Sequence, residues 1–265
     1  DLDRPLADAG GKGLFVKEIE EALLAHEADI AVHSMKDMPA HQPGGLMLAA
    51  VLPREDTRDL LISADGSPFL KLKHGAKLGT SSVRRQAQAL RRRPDLHIVP
   101  LRGNVETRLQ KLARGEADAI MLARAGIARL KLELKQSEPL DDFLPALCQG
   151  AVGIEIRGND KRVRDLVAPI DHAQTHVAIA CERGFLAALD GSCRTPIAGL
   201  ATIAQTNLSF RGEVLTVDGK THWTACRDIA LDEALGEGAR QAAYAAGRDA
   251  AHEIRNQAGE MLPTF

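Results

Sequence analysis

Apolar and polar positions follow one another along this 265-residue chain with two periods, one helical and one strand-like, and the switches between them mark out its elements. Near the start, Phe15, Ile19, Leu23 and Leu24 recur at helical spacing with Glu18, Glu20 and Glu21 on the other side, which predicts an amphipathic helix over residues 14–26. Residues 28–33 read as a short buried strand, and 34–39 as the loop at its carboxyl end. A second apolar run, 46–52, stops at Pro53-Arg54-Glu55-Asp56, a composition that suits a crossing between lobes. Lys77-Leu78-Gly79 ends a strand, after which Thr80, Ser81 and Ser82 offer N-caps to a helix over 83–93 that Pro94 stops. A strand at 97–101, a helix at 105–114, a strand at 117–122 and a helical return at 126–130 follow. Strands alternating with helices predict a parallel sheet with right-handed crossovers.

Further on, residues 148–156 look like a return strand, and a helix is expected near 175–189. The period then shortens to two: 198–203, 207–214 and 222–228 alternate, with Asp218-Gly219 as a hairpin signal. An Ala-rich helix over 233–256 closes the chain, so a small α+β domain with an antiparallel sheet is expected from about Gln174.

Composition excludes several classes. The chain is 45% apolar and 26% charged, as in an ordinary soluble globular protein, and no apolar run approaches the roughly 20 residues of a membrane helix. A cytoplasmic location is the default expectation, with no membrane partner. Aromatics make up 3%, too few for stacking platforms on single-stranded nucleic acid. Cys148, Cys181, Cys193 and Cys226 are widely spaced, which argues against a disulfide framework or a zinc site, and no metal is expected.

Charge changes the picture locally. Between Thr80 and Arg114 lie nine Lys or Arg and two acids, although the whole chain has 34 basic against 36 acidic residues. Arg84, Arg85, Arg102 and Arg108 fall at or just beyond strand ends, where open α/β sheets bind ligands and helix N-termini favour anions. Guanidinium forks grip carboxylates or phosphates bidentately. Arg91, Arg92 and Arg93 read instead as a solvated helix end, and position alone says little of Arg129. Lys36 and Asp37 stand side by side after a buried strand, where a carboxylate can meet a cationic intermediate; a plain loop ion pair is the other reading. Cys193 sits between Ser192 and Arg194 in a loop bounded by Gly191 and Pro196, which suits a nucleophile or a covalent anchor. Cys181 and Cys226 read as apolar fillers, and His33 as a packing or capping residue without a catalytic role.

These residues together resemble the porphobilinogen deaminase, or hydroxymethylbilane synthase, family. The resemblance rests on Gly10-Gly11-Lys12-Gly13-Leu14-Phe15, His33-Ser34-Met35-Lys36-Asp37-Met38-Pro39, Gly79-Thr80-Ser81-Ser82-Val83-Arg84-Arg85-Gln86, Leu101-Arg102-Gly103-Asn104-Val105, Thr107-Arg108-Leu109 and Gly191-Ser192-Cys193-Arg194-Thr195-Pro196-Ile197, in that order. It implies a transferase that condenses four porphobilinogen molecules, releasing ammonia at each step, into the linear tetrapyrrole hydroxymethylbilane. The primer it implies is a dipyrromethane cofactor joined by a thioether to Cys193. Asp37 would stabilise azafulvenium cations from beside the pyrrole nitrogens, and Lys36, Ser82, Arg84, Arg85, Arg102, Arg108 and Arg129 would hold cofactor or substrate carboxylates, helped by Thr80 and Ser81.

The fold implied is two α/β lobes like those of type II periplasmic binding proteins plus a cofactor-bearing α+β domain: 1–52 with 153–170, then 57–146, then 174–265. A monomer is expected. The family has a further βα unit before the position of Asp1, so the first lobe is expected to be incomplete and this chain alone unstable or inactive. Cys148 stands where the family usually has Gly before Gln149-Gly150. Two rival readings are a non-catalytic solute-binding or effector domain of the same fold, which leaves Asp37 and Cys193 unexplained, and a nucleic-acid binder, which the acidic total disfavours.

Overall fold

A computed structural model of the chain describes residues 11–134, 136–190 and 195–262. Helix α1 (Gly11–Leu24) leads to strand β1 (Ala31–Ser34), a 3-10 turn at Met35–Asp37 and β2 (Leu46–Val51). Then come β3 (Asp59–Ser63), β4 (Lys77–Gly79), α2 (Val83–Arg92), β5 (His97–Val99), α3 (Val105–Ala113), β6 (Ala119–Ala123), α4 (Arg124–Arg129) and β7 (Glu138–Pro139). The chain continues through β8 (Val152–Arg157), α5 (Lys161–Val167) and α6 (Ala173–Ala188) into β9 (Ile197–Ala204), β10 (Asn207–Leu215), β11 (His222–Ala230) and α7 (Glu237–Ala258).

The described residues form three sheets. In the first lobe the order is β1-β8-β2, with β8 antiparallel to both neighbours. In the second it is β5-β4-β6-β3-β7, where β4 runs parallel to β5 and β6, but β3 is antiparallel to β6 and β7. The expected parallel sheet is therefore found for β5-β4-β6, and is corrected for β3 and β7, whose pairings are antiparallel. Strands β3 and β8 each arrive from the opposite lobe rather than through a βαβ crossover, so the right-handed crossover rule does not set their direction. Gly79, Val99 and Ala123 close three parallel neighbours, where the sequence predicts ends at Gly79, Leu101 and Leu122.

The two crossings between the lobes lie side by side. Leu52 N–H donates to Val152 O (2.9 Å), and Glu55 N–H to Gly150 O (3.1 Å). Gly150, at φ +85°, is pressed so close that a Cβ would lie 2.5 Å from Glu55 O. Cys148 also has positive φ, +61°, although it carries a side chain and is 2% exposed.

The third domain is the expected antiparallel meander, β11-β10-β9, with α6 and α7 against it. Phe185 and Phe210 meet edge to face at 5.0 Å in its core. That core is continuous with Met35, Met38, Val51, Leu147, Cys148 and Ala151, so the domain is seated on the crossings and on the turn after β1. Burial of so much aliphatic and aromatic area, at roughly 25 cal/mol per Å2, is the main force holding the domain there.

Candidate active site

Lys36 and Asp37 lie on the 3-10 turn, not on an open loop, and the turn is pinned from both ends. Met35 and Met38, 1% and 4% exposed, are buried in the core shared with the third domain. Met35 N–H donates to Ala151 O (3.1 Å), and Met38 N–H returns to Met35 O (3.3 Å). Gly153 makes room for this, because a Cβ there would meet Met35 Sδ at 2.2 Å. The two chemistry-bearing residues are left half-buried between two anchored methionines. His33, just before the turn, is buried and its Nε2 lies 3.0 Å from Glu155 Oε2, which matches the packing role expected of it.

Arg84 and Arg85 are drawn inward from the first turn of α2, whose N-cap is Ser82. Their common partner is Asp59, the first residue of β3: Arg84 Nη2 donates to Oδ2 (2.8 Å) and Arg85 Nη2 to Oδ1 (2.7 Å). Each arginine also donates to a backbone carbonyl, Arg84 to Leu144 O (2.7 Å) and Arg85 to Met121 O (3.0 Å). Burial alone would raise the Asp59 carboxyl, but the two guanidiniums hold it well below the usual carboxylate range. The Nε–H of Arg85 is buried and has no partner among the described residues.

Gln149, 1% exposed, joins this trio to the first lobe. Its Nε2 donates to Asp59 Oδ1 (2.9 Å) and Thr57 O (2.7 Å), and its Oε1 accepts from Lys36 Nζ (3.4 Å). Its own carbonyl accepts from Arg54 Nε (2.9 Å), and Arg54 in turn grips the buried Glu182 of α6 with both Nη groups, at 2.6 and 3.0 Å. Burial, and then the charge of Arg85, press the Lys36 amine down to about 8, against the opposing pull of Asp37 and Asp59.

The remaining predicted residues are disposed as follows. Thr80 is buried and its hydroxyl accepts from Ser82 N–H (3.1 Å), while exposed Ser81 accepts from Leu101 N–H (3.1 Å), so this loop stitches the ends of β4 and β5 together. Arg102 is exposed beyond β5. Arg108 is half-buried and donates to Gly103 O (2.9 Å); burial, then Arg85, push its pKa down. Arg129 reaches the return crossing and donates to Gly150 O (2.9 Å). Cys193 lies outside the described residues.

Arg91 to Arg93 are not the solvated helix end expected of them. Arg91 pairs with buried Glu213 of the third domain, and Arg92 lies 4.3 Å from the Phe143 ring centre. Arg93 binds Asp95 and carbonyls from Phe69 to Lys73. Cys226 is exposed on β11 rather than an apolar filler; Cys181 does fill the core.

Asp59 and Gln149 escaped the sequence reading. An acid opening an apolar run at Asp59-Leu60-Leu61-Ile62, just after Arg58, was the available signal for the first; none marked the second. Around these two, Lys36 feels Arg84, Arg85, Asp37 and Asp59, and Arg108 feels Arg85, so four cations are electrostatically linked. Positive charge is in excess, three of these cations, Lys36, Arg84 and Arg108, have depressed pKa values, and one buried donor is unmatched. Those features fit a ligand with several carboxylates.

Fold and site define an α/β protein of two lobes and a third domain in which Lys36 of one lobe and Arg84 and Arg85 of the other meet in one buried network. Residues 1–165 match the family described as "Porphobilinogen deaminase, dipyromethane cofactor binding domain", and residues 176–256 its C-terminal domain. The chain belongs to the porphobilinogen deaminase family: it is a transferase of tetrapyrrole biosynthesis that polymerises porphobilinogen into hydroxymethylbilane on a dipyrromethane cofactor. The described residues build the expected α/β lobes and a small α+β domain with an antiparallel sheet. A porphobilinogen deaminase of Nitrobacter winogradskyi is 52% identical over 265 residues, which are 99% of this chain and 81% of that protein. One from Paracoccus denitrificans is 50% identical over 260 residues, 97% of this chain and 80% of that one. Among solved structures, a periplasmic binding protein from Brucella ovis with glutathione bound covers 62% of this chain and 51% of its own at 20% identity and TM-score 0.38, too distant to carry an argument.

Proposed function

We propose that Lys36, Arg84, Arg85, Arg102, Arg108 and Arg129, with the Thr80-Ser81-Ser82 loop, hold the carboxylates of the dipyrromethane cofactor and of porphobilinogen, and that Cys193 anchors the cofactor. When bound, the cofactor supplies the pyrrole end to which the first substrate is joined. In each condensation the carbon–nitrogen bond of the aminomethyl group breaks, so ammonia leaves and positive charge develops on the substrate; a carbon–carbon bond then forms to the free α-carbon of the terminal pyrrole, whose hydrogen leaves as a proton. Asp37 stabilises that charge. A fixed carboxylate aimed at a developing cation lowers the barrier because it needs no reorganisation when the charge appears. Lys36 and the arginines orient the ring by its acid side chains, and a charge-assisted hydrogen bond contributes about 1.5–3 kcal/mol each.

The observation that carries this reading is the buried network that joins the Lys36-Asp37 turn of one lobe to the Arg84-Arg85 pair of the other through Gln149 and Asp59. A solute-binding protein would have use for the cations but not for Asp37 beside them together with Cys193. We place the enzyme in the cytoplasm as a monomer acting on a small molecule, without nucleic acid or membrane. The 3% aromatic content supports a site without base stacking, and no helix among the described residues is long and apolar enough to cross a membrane.

Intact-protein mass spectrometry tests the assignment. The purified protein is expected to carry the mass of a dipyrrole that Cys193→Ala lacks, and Asp37→Ala is expected to be soluble but without turnover. An unmodified parent chain with full activity, or near-normal turnover by Asp37→Ala, would refute it.

A further inference from the structure

We infer that Asp59 and Gln149 form a positioning pair that sets the arginines of the second lobe and Lys36 of the first in one register. Neither touches the substrate. Asp59 is wholly buried at the start of β3, and its two oxygens are divided between Arg84 and Arg85 at 2.8 and 2.7 Å. A guanidinium on a flexible stem loses much rotamer entropy when it is fixed, so a carboxylate that has already fixed two of them leaves less ordering to be done when a ligand arrives. Both arginines keep a surplus of donors, and the pair with Asp59 retains one net positive charge.

Gln149 extends that order across the lobes. It belongs to the return crossing, and its flanking residues, Cys148 and Gly150, both have positive φ, +61° and +85°. The backbone there is confined by contact with Glu55 and by the carbonyl bonds from Arg54 and Arg129. The Gln149 amide is thus presented from a fixed segment, donating to Asp59 on one side and accepting from Lys36 on the other. A small relative displacement of the lobes breaks this chain at its longest link, the 3.4 Å contact with Lys36. The pair therefore ties the alignment of the cations to the closed arrangement of the two crossings.

The inference rests on the reading of Lys36 and the arginines as carboxylate holders, and the experiment separates the two. The groups that face Lys36 are Asp37 from its own turn, Asp59 from β3, Arg84 and Arg85 from α2, and Gln149 from the crossing. Asp37 and Asp59 favour the ammonium, as does the acceptor oxygen of Gln149. Asp59→Asn and Gln149→Met, purified as cofactor-bearing enzyme, should each lower kcat/KM at least tenfold and move the alkaline limb of the pH–rate profile to lower pH. Gln149→Met loses buried hydrogen bonds and should unfold at a lower temperature than the parent, yet remain folded at the assay temperature. A structural role alone would lower stability and activity without moving the limb. Unchanged kcat/KM in Gln149→Met, or a loss with the limb unmoved, overturns the pair. Lys36→Gln must abolish the parent's limb; if the limb persists, the reading of Lys36 fails, and the pair is then judged on kcat/KM alone. If Asp59→Asn does not fold, Gln149→Met decides.

Discussion

Removing the Asp59 carboxylate is the sharpest test of how the basic stretch is stabilised. In Asp59→Ala two guanidiniums, 4% and 6% exposed, lose their shared counter-charge, and the Gln149 amide loses an acceptor. Breaking a buried ion pair by deleting one partner destabilises by about 3–5 kcal/mol, because the remaining charge stays in a poorly solvating site. For a chain of this size that corresponds to a fall in Tm of roughly 6–20 °C. The assay has to report on the second lobe, and the single tryptophan, Trp223, is packed in the core of the third domain. Amide exchange of β3, β4 and β6 in native conditions reads the right region, with Trp223 fluorescence as the internal control. The pH dependence has a defined sign. Because the folded carboxyl is held below its unfolded value of 3.8, its contribution is complete above that pH and fades only as pH falls further. The gap between parent and Asp59→Asn should therefore be flat from pH 8 to 5 and shrink below about 4. Replacing all three side chains by apolar ones should restore most of the stability while leaving no activity. A change below about 1 kcal/mol in Asp59→Ala, a value typical of exposed pairs, would refute the reasoning.

Two further outcomes follow from close packing. A Cβ on Gly247 would lie 1.9 Å from Cys181 O, so Gly247→Ala must push α6 from α7; a loss of about 1–3 kcal/mol in the Trp223 transition is expected, and no loss would show that the helices have slack. Cys148→Gly removes a side chain from a left-handed residue, a relief of about 1 kcal/mol, and gives up a small buried thiol of comparable worth. Urea unfolding should therefore place it within about 1 kcal/mol of the parent, and a loss above twice that would refute the argument.

Much of this architecture was legible because period and punctuation agree. The helix cap at Ser82, the strand ending at Gly79 and the Asp218-Gly219 hairpin all stand where residue type predicts them. The misses have physical causes. Strand β3 is buried on both faces, so Asp59-Leu60-Leu61-Ile62-Ser63 carries no alternation to read. The direction of β3 and β8 depends on which lobe the chain enters from, a long-range fact. Charged residues at strand ends could be singled out from the sequence because strand ends and charges are both local signals. Asp59 and Gln149 were not singled out, because their roles consist wholly of contacts made 25 to 113 residues away.

The same cause explains the misjudged end of α2. Three arginines in succession before a proline look solvated, yet Arg93 pairs with Asp95 two residues on, and Glu213, more than a hundred residues on, is buried and takes Arg91 as its cation. The turn of the β10-β11 hairpin is seated on the same helix: Gln86 Nε2 donates to Val217 O (3.4 Å), and a Cβ on Gly219 would lie 2.4 Å from Ala87 O. One helix of ten residues, about 15 Å long, therefore holds the Arg84-Arg85 pair at its start and the third domain at its end. A helix that short moves as a rigid rod on the scale of these contacts. The third domain and the arginine pair must then shift together, or the Arg91–Glu213 pair must open and leave a buried carboxylate without its cation. The basic run thus divides by partner rather than by exposure: Arg91 fastens the third domain, Arg92 and Arg93 brace the second lobe, and Arg84 and Arg85 share Asp59.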